Sequence, residues 1–281
     1  MLREELLSIF ERYALKPKKK LSQSFLVDER VIKKEVEYAE AEGKEVLEIG
    51  AGVGFLTRAL AEKAKRVVAI EKDARLVKIL KSSLPPNVEI VEADFLKYNA
   101  GKTQVIVSNL PYSISSPLTF KIAEMEFEHA VLCYQEEFAR RMLAKPGTEE
   151  YSRLSVMSQL SFELKFLQRV PRNCFLPVPK VHSAIIMLKP KKEMPDEISK
   201  ELINLLFQHR NKTLRSSLLS SSRNLGISKK ELIQLAERIP LKKRRVVSLT
   251  QKEILEVVGN EELRDYIRKK FSTPHQSAPS P

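Results

Sequence analysis

Two cysteines, Cys133 and Cys174, are all that the 281 residues contain. That is too few for a zinc cluster, and a lone pair in a chain of this size gives little reason to expect a structural disulfide. Both are expected as reduced thiols in the core. Long hydrophobic runs are missing as well: no stretch reaches the roughly 20 uninterrupted apolar residues of a membrane helix. The opening MLREELLSIF mixes acids with apolar residues and reads as neither a signal peptide nor a transit sequence. The expectation is therefore an intracellular, cytoplasmic protein with no membrane partner. Glycine is scarce, 8 in all, so a cluster of it needs a reason. Against these absences, 43 % hydrophobic and 30 % charged residues exclude disorder, collagen and a disulfide scaffold, and supply a sizeable core.

The balance of 49 basic against 36 acidic residues leaves a net charge of +13, which points to a polyanionic partner, most often nucleic acid. The excess is not spread evenly. Residues 1–20 hold 6 basic and 3 acidic residues, residues 21–190 hold 24 and 22, and residues 191–270 hold 19 and 11. A nearly neutral body is thus flanked by two basic ends, as expected if those ends grip a phosphate backbone.

Short runs rich in β-branched residues recur at 44–49 (KEVLEI), 66–70 (RVVAI), 88–91 (VEIV), 104–108 (QVIVS) and 129–134 (HAVLCY). Helical patterns lie around 55–64 and 75–83. Strands spaced in this way predict βαβ units and a parallel sheet covered on both faces, an α/β body. FELKFLQRV (162–170) and SAIIMLK (183–189) predict a hairpin closing one edge. An amphipathic helix is expected over 1–15, and Asp28 is placed to cap another. After Pro190 the strand pattern stops, and from Ile198 the apolar spacing is helical only. The expected division is a body over 1–190, a small helical domain over 191–270 and a disordered tail over 271–281.

Gly50, Gly52 and Gly54 fall within five residues, between a strand and a helix, where glycine lets the backbone turn tightly and approach a ligand. Glu71, ending the next strand about 20 residues on, is placed to bind both hydroxyls of a ribose. This pair fits a dinucleotide or another adenosine-containing cofactor. The acid Glu48, two residues before the first glycine, suits an uncharged or cationic group better than a pyrophosphate and tilts the reading to S-adenosylmethionine. Asp94, just beyond the third strand, is placed to accept from an adenine amine. After the fourth strand comes Asn109-Leu110-Pro111-Tyr112. The Asn109 side-chain oxygen and the Leu110 carbonyl can both accept from an exocyclic amine, making its nitrogen more tetrahedral, while Pro111 fixes the backbone and Tyr112 stacks on the base.

The series LSQSFLVD (21–28), EIGAGVGFLT (48–57), AIEKD (69–73), EADFLKY (92–98), NLPYSISSPL (109–118) and FLPVPKVHSA (175–184) resembles the ribosomal RNA adenine dimethyltransferases, over about residues 10–260 and in the family's order. The resemblance implies a seven-stranded, class I (Rossmann-like) S-adenosylmethionine-dependent methyltransferase sheet followed by a small all-helical domain. It implies dimethylation of two adjacent adenosines near the 3′ end of small-subunit rRNA, with the small ribosomal subunit or its precursor as partner, no metal, and a monomeric enzyme. Gln23, Ser24 and Leu26 are implied to close over the cofactor, although Ser24 stands where the family usually carries Asn or His. Phe175 is implied to sandwich the target base with Tyr112. Lys18, Lys19 and Lys20 before the first motif, and Arg210, Lys212, Arg215, Lys242, Lys243, Arg244 and Arg245 in the helical domain, are implied to track the RNA. Enzymes that methylate an adenine of large-subunit rRNA, and non-catalytic binding relatives on this fold, are the competing readings.

Overall fold

Parallel strands alternate with helices through the first two-thirds of the chain, and the computed structural model describes residues 1–18, 23–192, 194–222 and 228–272. Lys19, Lys20 and residues 273–281 of the expected tail lie outside the described residues. The chain divides into two units, Met1–Arg140 with Phe162–Lys191, and Arg141–Ser161 with Lys192 onward.

In the first unit, α1 (Leu2–Arg12) and the short β1 (Phe25–Leu26) precede α2 (Glu29–Ala39), whose Asp28 cap accepts from the Arg30 amide. Then follow β2 (Glu45–Ile49), α3 (Phe55–Ala61), β3 (Arg66–Glu71), α4 (Ala74–Leu80), β4 (Val88–Glu92), β5 (Val105–Asn109), α5 (Ser115–Ala123), β6 (His129–Gln135) and α6 (Glu136–Leu143). After α7 (Arg153–Ser161), which belongs to the second unit, β7 (Phe162–Val170), β8 (Phe175–Leu176) and β9 (Ser183–Pro190) complete the strands of the first. The main sheet has the order β4-β3-β2-β5-β6-β9-β7. β2 to β6 pair in parallel, and β9 lies antiparallel to both β6 and β7, which is the expected edge hairpin. Strands buried on both faces read as continuous apolar runs, as Val105–Val107 do. Cys133 and Cys174 are buried and unpaired. The order reverses between β2 and β5, and such a switch point opens a crevice beyond the carboxyl ends of the strands.

The second unit contains α8 (Glu197–Gln208), α9 (Leu214–Ser220), α10 (Lys229–Arg238), α11 (Gln251–Val258) and α12 (Glu261–Ser272). It also takes Arg141–Ser161, so a single cut at residue 190 does not separate the two units. The reason is local bonding. The Arg210 guanidinium donates to the Glu149 carbonyl at 2.7 Å, the Tyr151 hydroxyl to the Leu249 carbonyl at 3.0 Å, and the Gly147 amide to Val247 at 2.7 Å. Periodicity does not reveal this segment, because α7 buries Leu154, Ser155, Val156, Met157, Ser158, Leu160 and Ser161 around its whole circumference. No helix among the described residues is long and apolar enough to cross a membrane.

Candidate active site

The crevice of the first unit is a cavity lined by Gln23, Ser24, Leu26, Glu48, Gly50, Gly52, Glu71, Asp94, Asn109, Leu110, Pro111, Tyr112 and Phe175. These come from separate stretches of sequence, and the carboxyl ends of β2, β3, β4 and β5 bring them together. Gly52 lies close under the cover: its φ is +60°, its amide donates to Glu71 Oε2 at 2.8 Å, and a Cβ there would meet the Phe25 ring at 3.2 Å. Gly54, expected beside the cofactor, does not line the cavity. At φ +88° it turns the chain into α3, with Leu80 Cδ2 2.7 Å from the position of a Cβ. Its role is to let loop and helix pack.

Glu71 accepts from the amides of Gly52 and Asp73, both at 2.8 Å, which fixes the carboxylate while each oxygen keeps a lone pair for a ligand. Burial raises its pKa despite those bonds. Glu48 is 1 % exposed, and its Oε2 has no hydrogen-bond partner among the described residues. Burial pushes its pKa to about 8, with the charge of nearby Glu71 acting in the same direction. An unpartnered buried carboxylate oxygen suits a cation and opposes a pyrophosphate, so these residues fit a sulfonium cofactor with an amino-acid ammonium. Asp94 lines the cavity with one oxygen accepting from the Leu96 amide at 3.1 Å and the other from Lys72 at 2.7 Å, and the Lys72 ammonium lowers its pKa.

Asn109 ends β5. Its Nδ2 donates to Glu35 Oε2 at 3.0 Å, and its Oδ1 is buried without a partner. Beyond it, Pro111 leads into a 3-10 turn over Tyr112–Ile114. The Tyr112 hydroxyl is 2.6 Å from Ser183 Oγ, which anchors the ring, and burial pushes its pKa to about 12. Phe175 pairs with Leu26, and Leu176 with Phe25, in the two-stranded β1–β8 sheet. Ser24 Oγ donates to the Pro177 carbonyl at 2.6 Å. The shorter side chain at this position therefore ties the amino-terminal segment to the loop after Phe175.

Asp73 escaped the sequence reading. It caps α4 and collects Lys18 Nζ at 3.3 Å, Gln23 Nε2 at 3.0 Å and Arg75 Nη2 at 2.7 Å. Those cations and donors, Arg75 foremost, hold its carboxyl far below the usual range. Lys18, expected on RNA, is thus engaged beside the cavity cover. The signal was available in the Asp73-to-Arg75 spacing of a helix cap. Glu35 escaped as well, although an acid on the apolar stripe Val31, Ile32, Ala39 is itself a signal.

In the second unit, Leu214 and Arg215 donate their amides to the Arg244 and Lys242 carbonyls at 2.7 and 3.0 Å, so two basic segments far apart in sequence lie side by side. Several of their charges are already answered. Arg215 and Lys242 share Glu237 at 2.6 Å each, Arg244 pairs with Glu253, Lys212 donates to Ser220 at 2.8 Å, and Arg210 binds backbone carbonyls. Lys243 and Arg245 are exposed and make no side-chain bond among the described residues.

The profile of the family described as "Ribosomal RNA adenine dimethylase" matches residues 14–255. A protein of Thermococcus kodakarensis named "Probable ribosomal RNA small subunit methyltransferase A" is 45 % identical over 262 residues, 91 % of this chain and 94 % of that protein. Its namesake in Pyrococcus abyssi is 40 % identical over 271 residues, 95 % of this chain and 98 % of that protein. A dimethyladenosine transferase from Plasmodium falciparum superposes with a TM-score of 0.74 at 30 % identity, covering 86 % of this chain and 98 % of that one. The 23S rRNA methyltransferase ErmE superposes with a TM-score of 0.59, also at 30 % identity, over 86 % of this chain and 99 % of that one.

Proposed function

Because the chain belongs to the ribosomal RNA adenine dimethylase family, we propose that it is an S-adenosylmethionine-dependent rRNA adenine N6,N6-dimethyltransferase acting on two adjacent adenosines in the 3′-terminal hairpin of small-subunit rRNA. The single observation that carries the reading is the Asn109 amide, fixed at the end of β5 with its oxygen buried, unpartnered and beside the cavity.

S-adenosylmethionine, when bound, supplies a methyl group on a sulfonium, a good leaving group. The work of the protein is then positioning and electrostatics. Glu48 meets positive charge, Glu71 receives the ribose hydroxyls, Asp94 the adenine amine, and Gln23, Ser24 and Leu26 form the cover. Asn109 Oδ1 and the Leu110 carbonyl accept from the target amine and draw its lone pair out of the ring, Pro111 fixes their convergence, and Tyr112 and Phe175 hold the base plane. The target nitrogen sheds its proton readily once it carries positive charge, so no general base is required. The basic surface of the second unit, with Lys243 and Arg245 as its unengaged cations, serves the phosphate backbone. The partner is the small subunit or its precursor in the cytoplasm, the enzyme works as a monomer, and its activity is part of ribosome biogenesis.

The test is incubation with labelled S-adenosylmethionine and undermethylated small subunits, followed by digestion of the RNA to nucleosides. N6,N6-dimethyladenosine at two adjacent positions is the expected result. Label confined to large-subunit RNA would assign the chain to the other enzyme class, and RNA binding without label would make it a binding module.

A further inference from the structure

The inward face of α2 carries Val31, Ile32, Glu35 and Ala39, all buried. Three of the four are what a core stripe requires, and the fourth is a carboxyl group 1 % exposed. No cation among the described residues pairs with it; its one side-chain hydrogen bond is from Asn109 Nδ2, at 3.0 Å. Burial lifts its pKa to about 8, and Glu48 adds to that rise. An apolar residue at this helix position would avoid the cost altogether.

The Asn109 amide has one acceptor oxygen and one donor nitrogen, and rotation about its last bond exchanges them. An ionised carboxylate can only accept. While Glu35 is ionised the nitrogen must face it, because the exchanged amide would set oxygen against oxygen; when Glu35 is protonated, as its raised pKa makes it at neutral pH, its carbonyl oxygen accepts from Nδ2 in the arrangement observed. The other end of the amide is then the acceptor, the buried Oδ1, which has no hydrogen-bond partner among the described residues.

We propose that Glu35 is a positioning residue for methyl transfer, acting through Asn109: it holds the amide so that Oδ1, rather than Nδ2, is presented to the target amine. This rests on the role given above to Asn109. Glu35 contacts neither substrate nor cofactor in this account. With the amide free to exchange, a fraction of enzyme molecules would present a donor to a donor, and the misaligned pair would slow the chemical step while leaving cofactor binding intact.

Glu35→Leu and Glu35→Gln separate this from a packing role, with Asn109→Ala run beside them. Glu35→Leu is expected to lower kcat by about 10- to 100-fold, the scale of a small misplacement at a reacting group, with cofactor affinity by calorimetry within about twofold, equivalent to about 0.4 kcal/mol. Retained affinity also certifies that the variant is folded. Glu35→Gln keeps an acceptor within reach of Nδ2 and is expected to restore kcat to within about threefold of the parent, an energy near 0.7 kcal/mol. An unchanged kcat in Glu35→Leu, a Gln variant as slow as the Leu variant, or a parallel fall in kcat and cofactor affinity would each overturn the proposal. If Asn109→Ala is inactive while Glu35→Leu is fully active, only the role of Glu35 falls. If Asn109→Ala itself turns over normally, the reading of Asn109 falls first and takes this one with it.

Discussion

Replacing Glu48 by Gln should stabilise the protein while weakening its hold on the cofactor. Glu48 is buried at the end of β2 with its pKa at about 8 instead of 4.5. Between those two values the native state retains a proton that the unfolded chain has lost. Stability conferred by this group is therefore full below pH 4.5 and is lost progressively as pH rises towards 8. At pH 7 the loss amounts to about 3 kcal/mol. Gln has the same shape and no charge to bury, so Glu48→Gln should melt several degrees above the parent at pH 8, at roughly 2–4 °C per kcal/mol for a chain of this length, and close to it at pH 5. Cofactor binding moves the other way. If the cation requires ionised Glu48, the affinity of the parent should rise by about 25-fold between pH 6.5 and 8.5, because the ionised fraction of a group with a pKa near 8 rises by that factor. Isothermal calorimetry at the two pH values measures it, and in Glu48→Gln most of the slope should vanish. Any slope that survives belongs to Glu71, which that variant retains and whose pKa burial also raises. A variant that melts below the parent at pH 8, or that keeps the full slope, would refute the reasoning.

Asn109→Ala should abolish methyl transfer, a loss of at least about 100-fold, with cofactor affinity by calorimetry kept within about tenfold, or 1.4 kcal/mol. Replacing Lys243 and Arg245 by Ala should weaken RNA binding and lower its salt slope by about two. Arg215→Ala with Lys242→Ala should lower it less, since Glu237 already offsets one of the two charges of that pair; equal slopes in a filter-binding titration would remove the distinction. Gly54→Ala should destabilise by more than the roughly 1–2 kcal/mol of a left-handed residue, because Leu80 must also move. Gly101→Ala, left-handed but with open space around it, should show the backbone cost alone in thermal unfolding.

The parallel part of the sheet was legible because its strands are short runs rich in apolar residues set off by polar or turn residues, and a β-branched run can be read without knowing its neighbours. The placement of the candidate site residues was legible for the same reason: in a parallel sheet the residue that ends or follows a strand is placed by the strand, so Glu71, Asp94 and Asn109 could be expected from position alone to meet at one cavity. Residues whose placement depends on a distant element were not. Glu35 has meaning only once α2 packs beside the end of β5, and Asp73 only once Lys18 and Gln23 fold back on it. Gly54 could not be told from its neighbours, because three glycines in five residues look alike in sequence, while the structure divides them between the cavity lining and a packing contact. The segment 141–161 was misassigned because α7, buried all round, has no polar face to set a period.

Charge is what separates this cavity from a dinucleotide site built at a similar switch point. Glu35, Glu48 and Glu71 are all buried, and the negative charge of each raises the next: Glu71 acts on Glu48, and Glu48 on Glu35. A pyrophosphate would add two further negative charges to that series, in a setting where Coulomb interactions are weakly screened. A sulfonium and an ammonium relieve it. Glu71 alone would serve any ribose, and Gly52 any close approach; the unpartnered oxygen of Glu48 is what makes the pair selective. A cation bound beside Glu48 would draw it towards its ionised state. The folded protein carries that burden when the site is empty, which is why stability and affinity should respond to Glu48→Gln with opposite signs.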